Sequence, residues 1–431
     1  SRDQPMRVKR TNAPAAQNYE LYGTDGTSAG TGLVKEICPG PLGSWSYPPT
    51  HLAEPRHFFV SGMYIYFSAY HAQYGSELWR SDGTGPGTTM VKNIGYTKYS
   101  SYPDGFAQVG KHIFFSAKTT QYNRELWVTD GTGAGTAMVK DIMPSQHTSD
   151  PTDMVELKGK AYFLATYLYQ GKELWVSDGT AAGTSLVKDI LPGGNSSVPP
   201  DGTTLVPFGG ALYFAAADQV GNTELWRSDG TAAGTRLVKE IRTGAASSDP
   251  ALLTPLGNRL LLAATGDKGG REIWSSDGTA AGTTLLHDIN QPGSCTASAG
   301  VDPILAAWGR FYFTADDGTR GRELWSSDGT PQGTAMVKDI NPGGGGCHPT
   351  GFISWQGLLL FQADDGTHGL EPWVTDGTGT GTRILKDIQT GSGGSSCLFK
   401  AATDSNIYFT AKDGTGFAIW RSDGTPGGTR V

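Results

Sequence analysis

Short apolar stretches follow one another along the whole chain, and none shows the 3.6-residue apolar period of an amphipathic helix. The stretches are of strand length, rich in aromatic and branched side chains, and bounded by Gly, Pro, Asp or Ser. One part of the chain contains four of them, at 304–308, 311–315, 323–327 and 335–340. The pattern predicts β-strands and an all-β fold.

A motif of the form Glu-Leu-Trp-x-Ser/Thr-Asp-Gly-Thr-x-x-Gly-Thr recurs nine times, with its aspartates 47 to 57 residues apart. Four strands in each ~48 residues, repeated about eight times, are typical of a β-propeller. We therefore predict an eight-bladed β-propeller of four-stranded blades in a single domain over 1–431. Nine blades is the alternative, because nine motifs occur. The predicted units are centred on Trp79, Trp127, Trp175, Trp226, Trp274, Trp325, Trp373 and Trp420.

The two ends of the repeat array differ from its middle. The last unit has Ala418 where the other units have Glu, and no basic residue follows at the usual distance. We predict that the final outer strand is incomplete and that the N-terminal segment 1–37, through residues 33–37, helps to close the ring.

Motif residues have structural explanations in this prediction. Asp-Gly suits a hairpin turn, because Asp caps the turn and Gly tolerates positive φ. The recurring Trp is expected to pack between blades. The motif Glu and a basic residue, such as Glu125 and Lys140, are always 15 positions apart. A hairpin would place them side by side, and we expect exposed pairs that specify strand register.

The string ELWVSDGTAAGTSLVKDILPGG at 173–194 resembles the consensus of the bacterial ELWxxDGT repeat family. The similarity covers nearly the whole chain, although the first unit has Tyr22 in place of Trp. The resemblance implies tandem repeats of exported or surface proteins that form propellers, with no activity assigned to the repeat. We therefore expect an extracellular, cell-surface or periplasmic location.

Composition excludes several classes of protein. With 62 Gly among 431 residues and 17% charged residues, the chain cannot be a coiled coil. A net charge of −7 gives no basic surface for nucleic acid. No apolar run reaches ~18 residues, so no membrane-inserted segment is expected.

Aromatic residues are distributed unevenly between the units. Fourteen of 17 Tyr lie at or before position 169. Tyr offers a flat apolar face with a hydroxyl, which suits sugar rings or protein surfaces. We expect a non-catalytic binding, adhesion or scaffold module that recognises a glycan or protein partner through a Tyr-rich loop face, unless these Tyr only cover long loops. The candidate ligand-binding residues are Trp45, Tyr70, Tyr74, Tyr96, Tyr99, Tyr102, Tyr167 and Tyr169.

The alternative function is a carbohydrate-active enzyme, a polysaccharide lyase or glycoside hydrolase, on the same face. A lyase needs a base, a Tyr acid and a cation that neutralises a uronate. The candidate catalytic residues are His71, His147, Arg124 and Tyr122.

Acidic residues recur where the first strands begin, often directly before Pro. No cofactor is required, but carboxylates that converge there could hold Ca²⁺. The alternative is that Asp before Pro caps a turn. The candidate metal ligands are Asp150, Asp153, Asp249 and Asp302.

Four cysteines, at 38, 295, 347 and 397, all follow an Ile-ended segment in the same type of connection. This placement favours disulfides between neighbouring units in an oxidising compartment. We predict Cys295–Cys347, because their spacing places them in successive connections, and Cys38–Cys397 across the ring closure. Unpaired thiols are the alternative.

Overall fold

The computed structural model describes residues 6–10, 19–24, 29–38, 58–96, 99–120, 123–144, 147–199, 202–268, 270–290 and 304–431. Strands and turns make up these ranges, and none of them is helical. The described residues therefore include no helix long and apolar enough to cross a membrane.

In the described part of the chain, nine antiparallel sheets follow one another, and each is built from consecutive strands. The first has three strands, in the order β1 (Met6–Arg10), β2 (Tyr19–Gly23) and β3 (Gly32–Lys35). Seven sheets have four strands and the last has three. We call the stretch that forms one sheet a unit, and the segment between two sheets a connection.

Four four-stranded sheets precede residue 240. They are β4 (Phe59–Ser61), β5 (Tyr64–His71), β6 (Gly75–Ser81) and β7 (Thr89–Lys92); β8 (Asp104–Val109), β9 (His112–Thr120), β10 (Asn123–Thr129) and β11 (Ala137–Lys140); β12 (Thr152–Leu157), β13 (Lys160–Tyr167), β14 (Gly171–Ser177) and β15 (Ser185–Lys188); and β16 (Val206–Phe208), β17 (Ala211–Ala217), β18 (Thr223–Ser228) and β19 (Arg236–Lys239).

The remaining sheets repeat this order. They are β20 (Ala251–Leu256), β21 (Arg259–Thr265), β22 (Arg271–Ser276) and β23 (Thr284–His287); β24 (Leu305–Ala307), β25 (Arg310–Asp316), β26 (Arg322–Ser327) and β27 (Ala335–Lys338); β28 (Thr350–Trp355), β29 (Leu358–Asp364), β30 (Leu370–Thr375) and β31 (Arg383–Ile384); and the three-stranded β32 (Leu398–Ala402), β33 (Ile407–Lys412) and β34 (Phe417–Ser422).

The all-β prediction is confirmed, and antiparallel four-stranded sheets of this kind are consistent with the blades of a β-propeller. The four strands predicted between 304 and 340 are present as β24 to β27. The spatial contacts divide the chain into two compact parts. One comprises 1–212 with 217–220 and 228–235, and the other comprises 213–216 with 221–227 and 236–431.

Within the described residues, seven of the nine motif strands contain a β-bulge where they pair with the following strand. In β10 the pairing with β11 shifts between Leu126 and Trp127. An extra residue at this place bends the strand and increases its twist. The same shift recurs at Leu21/Tyr22, Leu78/Trp79, Leu174/Trp175, Leu225/Trp226, Ile273/Trp274 and Leu324/Trp325.

Apolar side chains from consecutive sheets form common clusters. Phe114 on β9 belongs to one cluster with Phe163 on β13 and Trp175 on β14. Full burial of such a ring contributes about 1.5–3 kcal/mol. The motif Trp is therefore a core residue, as predicted, and its exposed fraction is 9% or less in every unit from Trp79 to Trp420.

The N-terminal segment contains a sheet of its own. Residues 33–37 are predicted to help close the ring, and that prediction stands as a prediction. In the structure β3 pairs with β2, with Leu33 opposite Tyr22 and Lys35 opposite Leu21. Because the first motif strand is β2 itself, it provides the edge that β3 needs.

Candidate functional site

The turn after each motif strand is a compact hydrogen-bonded structure, which we call the motif turn. In one copy the Ser177 and Thr184 hydroxyls lie 2.8 Å apart, and the Gly179 amide donates to Ser177 Oγ at 3.0 Å. Asp178 Oδ1 accepts from the Thr180 amide at 2.9 Å and from its hydroxyl at 2.7 Å. These two bonds lower the pKa of the Asp178 carboxyl. Both strands are thereby held where the turn closes.

The same turn occurs in eight described copies. The hydroxyl pair in each is 2.7–2.8 Å apart and buried. Its members are Ser81–Thr88, Thr129–Thr136, Ser177–Thr184, Ser228–Thr235, Ser276–Thr283, Ser327–Thr334, Thr375–Thr382 and Ser422–Thr429.

Glycine in the motif turn is required for two reasons. Gly230 has a φ of +95°, which disfavours any residue with a Cβ. A Cβ there would also collide with the hydroxyl of Tyr162, a residue on β13 of the preceding unit. The close approach is repeated by Tyr66 with Gly131, Tyr213 with Gly278 and Tyr312 with Gly377.

Carboxylates of the motif Glu are buried, which corrects the prediction of exposed Glu–Lys pairs. Glu125 has no exposed surface and accepts hydrogen bonds from the Ile142 amide at 2.9 Å, the Ser149 amide at 3.1 Å and Ser149 Oγ at 2.6 Å. Both donor residues belong to the connection that leads to the next sheet. The side chain therefore fixes the path of the chain between two units.

Burial has an electrostatic consequence for these groups. It raises the pKa of Glu77, Glu125 and Glu173 to about 7, although the hydrogen bonds that they accept oppose the shift. Burial also raises the pKa of Glu224, Glu323 and Glu371. The oxygens of these carboxyls accept hydrogen bonds from the connections, so their role is to hold the connections in place.

The motif Lys is likewise not paired with its own Glu. Lys140 Nζ donates to the backbone carbonyl of Thr184, in the motif turn of the next unit, at 2.7 Å. The other bonds of this type are Lys92–Thr136, Lys188–Thr235, Lys239–Thr283, Lys338–Thr382 and Lys386–Thr429, at 2.5–2.8 Å. Glu and Lys therefore both contact residues further along the chain, Glu in its own connection and Lys in the next motif turn, and both join consecutive units.

Sequence reasoning missed the serine that completes each carboxylate site. Ser149 lies 24 positions after Glu125. The same spacing separates Glu77 from Ser101, Glu173 from Ser197, and Glu224 from Ser248, with Oγ–Oε2 distances of 2.6–2.8 Å. The constant spacing was a usable signal, but it lay outside the motif.

Cysteine placement follows from the same site. Cys347 stands at the serine position and its amide donates to Glu323 Oε1 at 2.9 Å. Cys38, Cys347 and Cys397 are buried free thiols, so neither predicted disulfide is formed among the described residues; Cys295 lies outside them. Burial raises the pKa of all three thiols. The shared position in the connections therefore reflects packing and carboxylate contacts.

The predicted ligand-binding aromatics do not form one surface of uniform character. Tyr96, Tyr99, Tyr102 and Tyr169 are exposed by 40–77%. The other described members, Tyr70, Tyr74 and Tyr167, are half-buried. Tyr74 stacks on His71 at 4.9 Å between ring centroids, and Tyr167 packs on Trp175 at 6.1 Å. Trp45 lies outside the described residues.

Among the predicted catalytic residues, Arg124 has an extensive hydrogen-bond network. Its Nη1 donates to Ser116 Oγ at 2.7 Å and its Nη2 to the Tyr102 carbonyl at 2.9 Å, while Nε lies 3.9 Å from Asp150 Oδ1. Two other predicted site residues, Tyr102 and Asp150, thus meet the Arg124 guanidinium. Arg271 makes the corresponding bond to the Asp249 carbonyl, which indicates a repeated structural role.

The two candidate histidines have different surroundings. The His71 ring has two aromatic neighbours, Tyr74 and Trp79, whose ring centroids are 4.9 and 6.3 Å away. His147 is exposed in the connection before β12. Tyr122 lies outside the described residues.

The predicted metal ligands occupy strained backbone positions. Asp150 and Asp249 have φ of +43° and +47° directly before Pro, and Asp153 has +53°. Burial raises the pKa of Asp153. Within the described ranges no three His, Cys, Asp or Glu side chains come together as a metal would require. Asp302 lies outside those ranges.

Comparisons with known proteins give structural likenesses alone. No family model and no curated protein matches the chain, so the resemblance to the ELWxxDGT family stays a prediction. A prolyl endopeptidase structure is similar with a TM-score of 0.43 and 16% identity, over 76% of this chain and 49% of that one. Puromycin hydrolase gives 0.43 and 15%, over 86% and 61%. A puromycin-hydrolyzing peptidase of Mycobacterium tuberculosis gives 0.43 and 13%, over 85% and 61%.

These likenesses give no support to the predicted function. The three solved proteins named above are peptidases and a hydrolase, and the prediction of a non-catalytic binding or adhesion module is not taken further. Its carbohydrate-active alternative has no support among them either. The chain spans about half to three-fifths of the length of these structures.

Proposed function

We propose that the sheets are the blades of a β-propeller and that the recurring motif serves to join each blade to the next. Three contacts support this role: Glu to its connection, Lys to the following motif turn, and Tyr to the following motif glycine. The observation that carries the proposal is the lysine hydrogen bond. It joins residues of consecutive units, as in Lys140 and Thr184, which are 44 positions apart in the sequence.

Buried glutamate supplies the first joining contact. A carboxylate accepts several hydrogen bonds at once, and here the donors are backbone amides that would otherwise be buried without partners. Glu77 accepts from the Ile94 amide at 2.7 Å, the Gly95 amide at 3.2 Å and Ser101 Oγ at 2.8 Å. One side chain thus satisfies the start and the end of a connection.

Lysine and tyrosine supply contacts at the opposite end of the sheets. The ammonium group of Lys188 reaches the Thr235 carbonyl, and the ring of Tyr162 lies against Gly230. Both partners, Thr235 and Gly230, belong to one motif turn. The motif turn is therefore the part of each unit that the preceding unit contacts. We infer that this contact is the reason why the turn has the same structure in its described copies.

For the number of blades we favour nine over eight. Each of the nine motif copies forms a strand in a sheet of its own, from β2 to β34. An eight-bladed ring would require two of these sheets to merge. Counting blades in averaged electron micrographs of the chain distinguishes the two proposals.

The joining role is tested by replacing one lysine. Lys140→Met removes the charge but keeps most of the aliphatic stem, so the lost bond to Thr184 should cost about 1–2 kcal/mol of the free energy of unfolding. Lys111→Met is the matched control, because Lys111 is exposed in the turn between β8 and β9. Equal stability of the two variants in chemical denaturation would contradict the proposal.

A further inference from the structure

The hydroxyl of the connection serine has two acceptors, and this is the starting observation. Ser101 Oγ lies 2.8 Å from Glu77 Oε2 and 3.1 Å from the Ser76 carbonyl. Ser149 Oγ lies 2.6 Å from Glu125 Oε2 and 3.4 Å from the Arg124 carbonyl. Ser248 repeats the arrangement with Glu224 at 2.6 Å and the Thr223 carbonyl at 3.3 Å.

A hydroxyl is both a donor and an acceptor, so this geometry fits two protonation states of the carboxyl. When the glutamate is ionised, the serine O–H donates to it. When the glutamate is neutral, its O–H can donate to Ser Oγ, and the serine O–H can turn to the backbone carbonyl. Neither state leaves a buried hydroxyl proton without an acceptor.

We propose that the buried Ser–Glu pairs of Glu77, Glu125 and Glu224 are proton switches that hold their connections in both protonation states by reversing the hydrogen bond between hydroxyl and carboxyl. This inference rests on the proposed joining role in one respect, which is that the same glutamate holds the connection. It adds that the chain takes up and releases protons at these sites without unfolding.

The surroundings of Glu125 favour proton binding in the neutral range. The side chain is fully buried, and burial is the main cause that raises its pKa to about 7. Asp141, on the connection, adds a negative charge that acts in the same direction. The neighbouring cation, Arg124, directs its Nη atoms to Ser116 and to the Tyr102 carbonyl. The other groups that face the carboxyl are the Ile142 and Ser149 amides and the Ser149 hydroxyl.

Glu77 provides a second case with a different environment. Its contacts are the amides of Ile94, Gly95 and Ser101 and the Ser101 hydroxyl, and burial raises its pKa to about 7 as well. The position equivalent to Asp141 is Asn93, which carries no charge. Because the shift arises without that acid, the switch is a property of the repeated pair.

The unit of Glu323 contains a natural variation. Cys347 replaces the serine, and a thiol is a weak donor and a weak acceptor. When Glu323 changes protonation, the hydrogen bonds that hold its connection should therefore be weaker than those in the units that have a serine. Cys347→Ser should therefore give the Glu323 site the reversible hydrogen bond that the serine-containing units have.

The experiment follows the carboxyl directly by NMR. The chain is labelled with ¹³C at the glutamate carboxyls and titrated from about pH 5 to 9, a range that spans the shifted and ordinary values. Glu125→Gln assigns its resonance. We expect the Glu125 carboxyl to titrate near neutrality while the Ile142 amide stays protected from hydrogen exchange at both ends. A Glu125 resonance that stays ionised throughout overturns the proposal, whatever Lys140→Met does to stability.

A serine variant separates the switch from simple burial. In Ser149→Ala the neutral carboxyl loses its acceptor, so the protection factor of Ile142 should fall about tenfold at the acidic end relative to the alkaline end. Ser149→Thr keeps the hydroxyl and should behave as the native chain. If Ser149→Ala does not fold, the titration of the native chain and of Ser149→Thr still decides. Equal protection at both ends in Ser149→Ala contradicts the role of the hydroxyl.

Discussion

The ammonium group of Lys140 donates a 2.7 Å hydrogen bond to the backbone carbonyl of Thr184, and the two residues belong to consecutive sheets. Glu125, 15 positions before Lys140, is turned instead toward its own connection. The pair that the sequence suggested is thus two separate contacts. This division explains why both residues recur in step.

The motif glycine gives the sharpest prediction on stability. Gly230→Ala should destabilise the chain by about 2 kcal/mol or more, because a Cβ meets both a positive φ and the Tyr162 hydroxyl. Gly193→Ala is the control, since Gly193 has a φ of +113° with open space around it. Chemical denaturation measures both. Tyr162→Phe in the Gly230→Ala background should restore part of the loss; if it restores none, contact with the hydroxyl is not the cause.

Stability should decrease as the pH rises from about 4.5 to about 7. Burial raises the pKa of Glu77, Glu125 and Glu173 above the value of 4.5 expected in the unfolded chain, to about 7. Groups shifted in this direction contribute stability that is complete below pH ~4.5 and is lost by about pH 7. Melting temperatures measured between these values should fall, and Glu125→Gln should reduce the slope. The exposed Glu156→Gln should leave it unchanged.

Replacing a cysteine distinguishes packing from cross-linking. Cys347→Ser recreates the Ser–Glu pair of the other units, so we expect unchanged or slightly higher stability. Loss of a disulfide would instead cost about 2–4 kcal/mol. Thiol titration of the denatured, unreduced chain should detect Cys38, Cys347 and Cys397. A stability loss of disulfide size in Cys347→Ser would refute this assignment.

The buried hydroxyl pair of the motif turn should also carry measurable energy. Ser177→Ala leaves the Gly179 amide and the Thr184 hydroxyl without this partner, at a cost of about 1–3 kcal/mol. Ser185→Ala, at the exposed start of β15, serves as the control. Both are compared in urea unfolding, and no difference between them would mean that water replaces the lost bond.

Strands and turns could be predicted because each depends on local sequence. Aromatic and branched residues in β25 specify a buried strand, and Asp-Gly-Thr specifies the turn by its own side-chain bonds. The spacing of Glu125 and Lys140 is equally regular, but spacing gives no information about which neighbour each side chain contacts. The role of Ser149 was missed because its constant spacing from Glu125 lies outside the motif, and the contact that gives the spacing its meaning forms only on folding.

The predicted functional residues show the same limit. Arg124, Tyr102 and Asp150 are brought together, which sequence separation could not show, and their bonds resemble those of Arg271 and Asp249 in another unit. Tyr74 and Tyr167 pack on neighbouring rings. Residue type alone does not separate an exposed aromatic from one that covers a hairpin.

Hydrogen exchange in the Lys140→Met variant tests the joining role most directly. Thr184 lies in the motif turn of the next unit, 44 positions along the chain, and its carbonyl accepts the lysine bond. If the motif joins consecutive units, exchange should accelerate in the peptide that spans 178–185 and stay unchanged there in Lys111→Met. Acceleration confined to residues around position 140, with the 178–185 peptide as protected as in the native chain, would contradict the account.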